Sequence, residues 1–189
     1  GTCSTSGAWF NGATGKINAS MDFDGVDDYV TTTNTNAIDA DVGLAKGFSA
    51  SAWVYADNAG EGTGGRIFTK NTNTWCRVDT LSGSDLDVEC SLDLSTDATL
   101  NVATAIKTGQ WNHVVVTWTD DSDDEITIYV NGINKGSSTT GVGPVSTDTA
   151  NLIIGNDTTS GTATFDGKID DFRIYGYELT AQQVKTLYN

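Results

Sequence analysis

An aspartate-rich phrase occurs near both ends of the chain, as FDGVDDY at Phe23–Tyr29 and as FDGKIDDF at Phe165–Phe172. The two copies lie about 140 residues apart, and each has the apolar pattern of a β-strand. The repetition predicts that the first and last strands lie side by side in one sheet, with carboxylates clustered between them. Clustered carboxylates indicate a cation site.

Short strand patterns follow one another along the whole chain, separated by polar turn residues. The predicted strands are 21–31, 48–56, 66–70, 75–80, 85–91, 99–105, 111–119, 125–131, 151–156 and 164–175. Because the 189 residues show no break in composition, we expect a single domain over residues 1–189. The predicted fold class is all-β, a two-sheet antiparallel jelly-roll sandwich.

Two local signals fix a turn and a helix within this pattern. Asn131-Gly132 supplies two residues that tolerate positive φ, as a two-residue type I′ hairpin requires. Thr180 and Gln183 have the spacing of a capping box and predict one short C-terminal helix, which we expect to pack as a closing flap. The remaining segments 31–47, 57–65 and 137–150 are predicted to be long loops, where binding residues usually lie.

The charge balance excludes two classes of partner. The chain has 25 acidic and 10 basic residues and a formal net charge of -15, so it would repel nucleic acids and anionic membranes. No run approaches the roughly 18 apolar residues of a membrane span, and the first residues lack a leader pattern. We expect no membrane insertion, and a mature or excised segment of an extracellular protein.

Six segments give the chain a family resemblance. In chain order they are MDFDGVDDYV, FSASAWVY, GQWNHVVVTW, ITIYVNG, LIIGN and FDGKIDDFRIYGYELT. The chain resembles the laminin-G-like jelly-roll domains of the concanavalin A-like superfamily from residue 9 onward. The resemblance places Trp9 ahead of the first FDG strand, and it implies core or half-buried positions for Trp53, Trp111 and Trp118.

The same resemblance implies a structural Ca²⁺ between the turn of the N-terminal strand and the penultimate strand. The matching positions are Asp24 with Asp170 or Asp171, and Asp27 is able to contribute through the turn. Calcium takes six to eight oxygen ligands, and this chain supplies oxygens in these segments. The alternative is that these aspartates accept hydrogen bonds from backbone amides and shape turns.

The segments around Cys76 and Cys90 can be placed in register from their apolar residues. A hairpin symmetric about Gly83 sets Cys76 opposite Cys90, Val78 opposite Val88 and Thr80 opposite Leu86, which makes one face consistently apolar. This register predicts a cross-strand disulfide, and hence an oxidising, extracellular compartment. The alternative is two buried free thiols. Cys3 has no evident partner in the sequence.

The opposite face of the hairpin is polar. The register places Arg77 across from Glu89 and Asp79 across from Asp87, and like charges that face each other need solvent, a nearby base or a cation. One interpretation is that solvent stabilises the charges on this face. The other is a ligand-contact surface formed by Trp75, Arg77, Asp79 and Asp87, on which the indole of Trp75 stacks on a sugar ring.

The strand Asp85–Glu89 also resembles the catalytic strand of concanavalin A-like glycoside hydrolases. Alternation puts Asp85, Asp87 and Glu89 on one face. Residues four apart on one strand are about 13 Å apart at the backbone, whereas a retaining mechanism needs carboxyl groups roughly 5–5.5 Å apart. The short Asp85 at the nucleophile position argues against hydrolysis. The single histidine, His113, is interpreted as a strand residue rather than a base.

These observations lead to one preferred function and two alternatives. We expect a non-catalytic extracellular recognition module that binds carbohydrate and depends on calcium or is stabilised by it. The first alternative is a structural or adhesive domain that docks a surface protein without affinity for sugar. The second is a glycoside hydrolase that uses Asp85, Asp87 and Glu89. The partner expected is a glycan or a surface protein, within a larger surface or secreted assembly.

Overall fold

The computed structural model describes residues 15–32, 47–62, 64–157 and 162–189, together with the backbone of residues 9–10. This part of the chain forms thirteen strands and one helix. In chain order the strands are β1 (Trp9–Phe10), β2 (Ser20–Asp24), β3 (Val30–Thr31), β4 (Gly47–Ala56), β5 (Arg66–Thr69), β6 (Trp75–Ser82), β7 (Asp85–Leu92), β8 (Ala98–Lys107), β9 (Trp111–Thr119), β10 (Ile126–Val130), β11 (Ile133–Ser138), β12 (Ile153–Ile154) and β13 (Asp166–Tyr175), and the helix is α1 (Ala181–Tyr188).

The strands form two antiparallel sheets. The seven-stranded sheet has the order β1-β2-β13-β4-β9-β10-β11, and the six-stranded sheet has the order β3-β12-β5-β6-β7-β8. The predicted all-β, two-sheet jelly-roll sandwich is confirmed. Cys3, Trp9's side chain and most of the predicted loop 31–47 lie outside the described residues.

The core lies between the two sheets and follows from strand alternation. In β4, Phe48, Ala52 and Val54 pack into this core, where they belong to the same buried cluster as Val78 and Val88 of the six-stranded sheet. Fully burying one such aliphatic or aromatic side chain contributes roughly 1.5–3 kcal/mol. Alternate residues of each strand are left for the two outer faces of the sandwich.

The two FDG phrases are neighbours in the seven-stranded sheet, as predicted. Strand β2 pairs with β13 in a register that sets Asp24 opposite Asp166 and Met21 opposite Ile169. The predicted first strand over 21–31 is too long, because a turn at Gly25, with φ of 75°, separates β2 from β3. The two short strands lie in different sheets.

The Asn131-Gly132 hairpin is confirmed. Both residues have positive φ, 51° and 76°, and Val130 is paired with Ile133 across the turn. The strand that follows, β11, was not among the predicted strands. Its sequence INKGSS has a single apolar residue, and the strand lies at the edge of its sheet with Ile133 exposed, so no buried face leaves a pattern.

Helix α1 begins as predicted. Thr180 is its N-cap, and the reciprocal bonds of the capping box with Gln183 are both present. The helix covers the outer face of the seven-stranded sheet, where Val184 packs with Val115, Tyr129 and Leu179. In the part of the chain that the structure describes, no helix is both long and apolar enough to cross a membrane.

The tryptophans predicted to be core or half-buried are so placed, although on different faces. Trp118 is fully buried between the sheets. Trp53 is 3% exposed but points to the outer face of the seven-stranded sheet, where its ring stacks on Tyr188 of α1 with centroids 5.6 Å apart. Trp111 is half-buried beside Tyr55.

Candidate functional site

The β6–β7 hairpin has the predicted register at its cysteines. Cys76 lies opposite Cys90, and the two form a disulfide with an S–S distance of 2.04 Å. Val78 lies opposite Val88, so both pairs point into the core. The predicted disulfide is confirmed, and it lies beneath the polar outer face of the six-stranded sheet.

The register predicted nearer the turn is wrong. Thr80 does not face Leu86, because the ladder shifts between Asp79 and Leu81 and Leu86 is paired with Leu81 instead. Thr80 has a φ of 42°, in the left-handed region, which accommodates the extra residue. The connection that remains is the two-residue turn Gly83-Ser84.

The carboxylates on the outer face of this hairpin are stabilised by an arginine side chain and a backbone amide. Nη2 of Arg77 lies 2.6 Å from Oε2 of Glu89 and 2.9 Å from Oδ2 of Asp79. Asp87 faces Asp79, as predicted, and its Oδ1 accepts a hydrogen bond of 2.8 Å from the amide of Thr104. The like-charged pair is therefore stabilised by Arg77 and a backbone amide, rather than by solvent alone.

The three carboxylates of the glycoside hydrolase hypothesis, those of Asp85, Asp87 and Glu89, are also held by neighbouring groups. Asp85 lies 2.6 Å from Nζ of Lys107, Asp87 accepts the Thr104 amide, and Glu89 is held by Arg77. Each carboxylate thus has a partner that stabilises its charge and its place in the sheet.

Trp75 is held in place by its neighbours. Its Nε1 donates a hydrogen bond of 3.1 Å to the carbonyl of Thr72. The guanidinium carbon of Arg66 lies 3.9 Å from the centre of the indole ring, and that of Arg77 lies 5.0 Å from it. A guanidinium therefore already occupies a face of the ring that was predicted to stack on sugar, and Trp75 acts as a support for Arg66.

Arg66 opens onto a polar cleft that the sequence did not reveal. The cleft has a volume of about 490 Å³ and lies on the β3–β12–β5 side of the six-stranded sheet. Its lining combines amide, hydroxyl and charged side chains with few apolar ones: Thr31, Arg66, Thr69, Lys70, Asn71, Thr72, Ala150, Asn151, Ile153 and Asp157. We call this feature the Arg66 cleft.

The rim of the Arg66 cleft is fixed by a network around Lys70. Nζ of Lys70, a buried residue, lies 2.6 Å from Asp148 and donates a bond of 2.8 Å to the carbonyl of Ala150. Nδ2 of Asn71 donates to both Asp148, at 2.6 Å, and Asp93, at 2.8 Å. These bonds tie the loop after β5 to the loop before β12, so the cleft is pre-organised in the free domain.

The electrostatics of Arg66 are unusual for so acidic a chain. Burial, and after it the neighbouring charge of Arg77, lower the pKa of Arg66 to about 10. Its Nε and Nη1 atoms are shielded from solvent and find no hydrogen-bond acceptor within the described ranges. Arg66 was predicted only as the start of a strand, because its missing partner depends on a tertiary register that no local pattern shows.

A carboxylate group lies at the turn after β2. Asp24, Asp27 and Asp28 each bring one carboxylate oxygen within 4.8 Å of the others. Asp24 accepts a bond of 2.9 Å from the amide of Val26, and burial together with the charges of Asp24 and Asp27 raises the pKa of Asp28 against the lowering effect of a backbone hydrogen bond. Three hard oxygen donors at this separation fit a calcium ion.

Asp170 and Asp171 are not part of that group. The β2–β13 register sets Asp24 opposite Asp166, so Asp170 lies four residues, or about 13 Å, further along the strand. Asp170 is 7% exposed and accepts hydrogen bonds of 2.7 Å from the amides of Ile17 and Asp171. Asp171 pairs with Nε of Arg173 at 2.8 Å. The structure brings together Asp24 and Asp27 of the predicted set and adds Asp28, which was not predicted.

His113 lies within the covered outer face of the seven-stranded sheet, as a strand residue. It is 2% exposed between Trp53 and Tyr188, with ring centroids 5.0 and 6.4 Å away. Burial lowers the pKa of His113 to about 4, the charge of Asp171 raises it slightly and that of Arg173 opposes this. The imidazole is thus neutral at neutral pH.

The fold and the site can now be set beside known proteins. A family model described as the concanavalin A-like lectin/glucanases superfamily matches residues 24–185, and the chain belongs to this superfamily. No match to the chain is found among curated proteins.

Solved structures with the same fold share little sequence with the chain. Domain 4 of AbnA, a GH43 extracellular arabinanase from Geobacillus stearothermophilus solved with arabinotriose, is 23% identical; 94% of this chain and 80% of that one are covered, with a TM-score of 0.68. The Ruminococcus gnavus IT-sialidase CBM40 bound to α2,3 sialyllactose is 14% identical over 79% and 86% of the chains, with a TM-score of 0.58. A SAP-like pentraxin from Limulus polyphemus is 19% identical over 77% and 70%, with a TM-score of 0.61.

Proposed function

We propose that the domain is a non-catalytic carbohydrate-binding module whose glycan occupies the Arg66 cleft. The observation that carries the proposal is the cleft itself, about 490 Å³ in volume, with amide and hydroxyl side chains around one guanidinium. Sugars present many hydroxyl groups, each a donor and an acceptor, and the amide, hydroxyl and charged side chains of this lining can form hydrogen bonds with them. Two solved structures with this fold hold an arabinotriose and a sialyllactose, which supports a glycan over other ligands.

The predicted contact surface of Trp75, Arg77, Asp79 and Asp87 adjoins the cleft and takes a supporting role in this proposal. The indole of Trp75 contacts the guanidinium groups of both Arg66 and Arg77, and Arg77 forms an ion pair with Asp79. Because these side chains are already paired, they fix the shape of the cleft wall. Asp87 lies further from the cleft, against Thr104, and has the least direct part.

Calcium is proposed as a stabilising ion at the turn after β2. Asp24, Asp27 and Asp28 would hold it, and an ion there would tie the end of β2 to its turn and neutralise three carboxylates. The turn lies beside Asp166 of β13. In this role calcium supports the sheet, and the glycan needs no direct contact with it.

An extracellular location and a non-catalytic role complete the proposal. The buried Cys76–Cys90 disulfide favours an oxidising compartment. The partners held by Asp85, Asp87 and Glu89 favour binding over hydrolysis. Incubating each bound glycan with the domain, and looking for released sugar, tests the catalytic alternative directly.

The experiment is a glycan array probed with the purified domain in millimolar calcium, with a matched EDTA arm. Asn151→Ala, at the cleft, is expected to weaken binding about 3- to 10-fold, as the loss of one or two hydrogen bonds predicts. Asn134→Ala is the control, because Asn134 is also exposed but lies on β11 of the other sheet. Equal binding by both variants would move the site elsewhere, and a blank array from folded protein would favour the protein-docking alternative.

A further inference from the structure

Arg66 makes no close ion pair in the described part of the chain, although the charges of Asp157, Glu89 and Asp79 act on it from a greater distance. In the β5–β6 register it lies opposite Arg77, and like charges in facing positions destabilise a strand pair. Arg77 is compensated by Asp79 and Glu89, whereas none of the ion pairs among the described residues includes Arg66. This occurs in a chain with 25 acidic and 10 basic residues, where a partner carboxylate would be easy to supply.

The unmet requirement of Arg66 extends to its hydrogen bonds. Nε and Nη1 are shielded from solvent and have no acceptor within the described ranges. The indole of Trp75, 3.9 Å from the guanidinium carbon, stabilises the cation but accepts none of its N–H groups in the plane. Shielded donors without acceptors cost free energy, and real proteins keep such costs mainly at functional positions.

The charge of Arg66 persists under the conditions in which a ligand would bind. With its pKa lowered to about 10, the group is still fully cationic at neutral pH. The side chain lines the cleft beside neutral polar groups such as Thr69, Asn71 and Asn151. The cleft thus combines a cation that makes no ion pair with any described residue with several groups suited to hydroxyls.

We propose that Arg66 receives a carboxylate of the ligand, so that the domain selects glycans that carry an acidic sugar. This inference rests on the proposed function, because it names the class of glycan that the cleft takes. Because Nε and Nη1 are shielded, the carboxylate accepts a charge-assisted hydrogen bond from Nη2, the guanidinium nitrogen that is not among the shielded atoms. Its charge also supplies the close ion pair that Arg66 does not make among the described residues.

The charge around the cleft limits how acidic the glycan is. Asp157 lines the same cleft, and the formal net charge of the chain is -15. Within a Debye length of about 8 Å in physiological salt, one carboxylate interacts mainly with Arg66, but a polyanion would meet the surrounding acids as well. The favoured ligand is therefore a largely neutral oligosaccharide with one acidic residue, not a polyuronate.

The test compares ligands that differ only in the carboxylate. Carboxylated oligosaccharides with one uronic or sialic acid are printed beside their carboxyl-reduced twins, and sulfated and neutral glycans complete the array. The tightest acidic ligand and its twin are then titrated calorimetrically into the wild-type domain. The reduced twin is expected to bind at least 10-fold more weakly. Equal affinity for the twins, or a preference for sulfated glycans, would overturn the carboxylate assignment.

Variants connect the preference to Arg66. Arg66→Gln is expected to bind the acidic ligand at least 10-fold more weakly and its reduced twin as the wild type does. Lys107→Gln removes the same charge from an exposed position on the same sheet and is expected to leave both affinities unchanged.

The outcomes separate this inference from the proposed function. Binding of neutral glycans alone would overturn the acidic-sugar inference and retain the carbohydrate-binding module. A blank array would overturn both. If Arg66→Gln does not fold, the affinities of the wild-type domain for the acidic ligand and its reduced twin still show whether the domain selects the carboxylate.

Discussion

On the outer face of the seven-stranded sheet, Trp53 is 3% exposed beneath helix α1, whereas on the outer face of the six-stranded sheet Trp75 is half-buried beside an open cleft. The covered face is aromatic and its histidine is neutral. The open face has paired charges and one arginine, Arg66, that makes no ion pair with any described residue. One sheet thus uses its outer face for stability, and the other leaves its outer face open, as the proposed binding site requires.

The largest expected effect is on the covered face. Trp53→Ala removes a buried indole from between Lys16, His113 and Tyr188, and we expect it to lower the free energy of unfolding by about 3–5 kcal/mol. Chemical denaturation measures this loss. Below its melting temperature the variant should bind glycan as the wild type does, and a large loss of affinity in the folded variant would break the division between the faces.

The pH dependence of stability offers a second test of the covered face. The pKa of His113 is about 4 in the folded domain and about 6.5 in an unfolded chain, so the unfolded state binds more protons between these values. The free energy of unfolding that depends on neutral His113 is fully present above pH of about 6.5. It decreases as the pH falls towards about 4, by up to about 3 kcal/mol.

His113→Gln should flatten this part of the stability curve. The measurement is denaturant unfolding at several pH values between 4 and 7, with the wild type and the variant compared at each, so that the carboxylates common to both cancel. An unchanged difference across this window would mean that His113 titrates as an exposed histidine does.

The sequence predicted the open face in part, and particular residues show where it stopped. Alternation of Cys76 and Val78 against Cys90 and Val88 set the register of the hairpin, because only one pairing buries all four. The bulge at Thr80 was missed, since a positive φ at a threonine depends on the sheet around it.

Two of the site residues that local sequence determines were predicted, whereas those that depend on strand pairing were not. Asp24 and Asp27 were predicted from the FDG phrase and lie together in one turn, because local sequence determines a turn. Asp170 was joined to them by resemblance, and its place depends on the β2–β13 register, which sets Asp166 opposite Asp24 instead. Arg66 was not predicted as a site residue, because its place opposite Arg77 and beside the cleft depends on how β5 pairs with β6.

An intermediate effect is expected at the proposed calcium site. A ligand at 100 times its Kd stabilises the folded state by about 2.7 kcal/mol, so millimolar calcium should raise the melting temperature and EDTA should reverse this. Asp24→Asn should abolish the shift, whereas Asp123→Asn, in the exposed acidic turn before β10, should retain it. A shift that survives Asp24→Asn would place the ion elsewhere or make it non-specific.

The smallest expected effect on stability is at Trp75. Trp75→Ala removes a half-buried ring and a cation–π contact, which we expect to cost about 1–2 kcal/mol of stability. Because Arg66 loses its support, glycan affinity should nevertheless decrease about 10-fold. The two tryptophans would then show opposite behaviour, and similar effects of Trp53→Ala and Trp75→Ala on both quantities would contradict the comparison.

The most direct measurement is a nuclear magnetic resonance titration of the labelled domain with the tightest oligosaccharide found on the array. The account predicts that resonances of the Arg66 cleft, among them Arg66, Asn71 and Asn151, shift with the ligand while those of Trp53, His113 and Tyr188 stay in place. Shifts concentrated beneath helix α1, or along Asp85–Glu89 alone, would contradict the claim that the open cleft is the binding site.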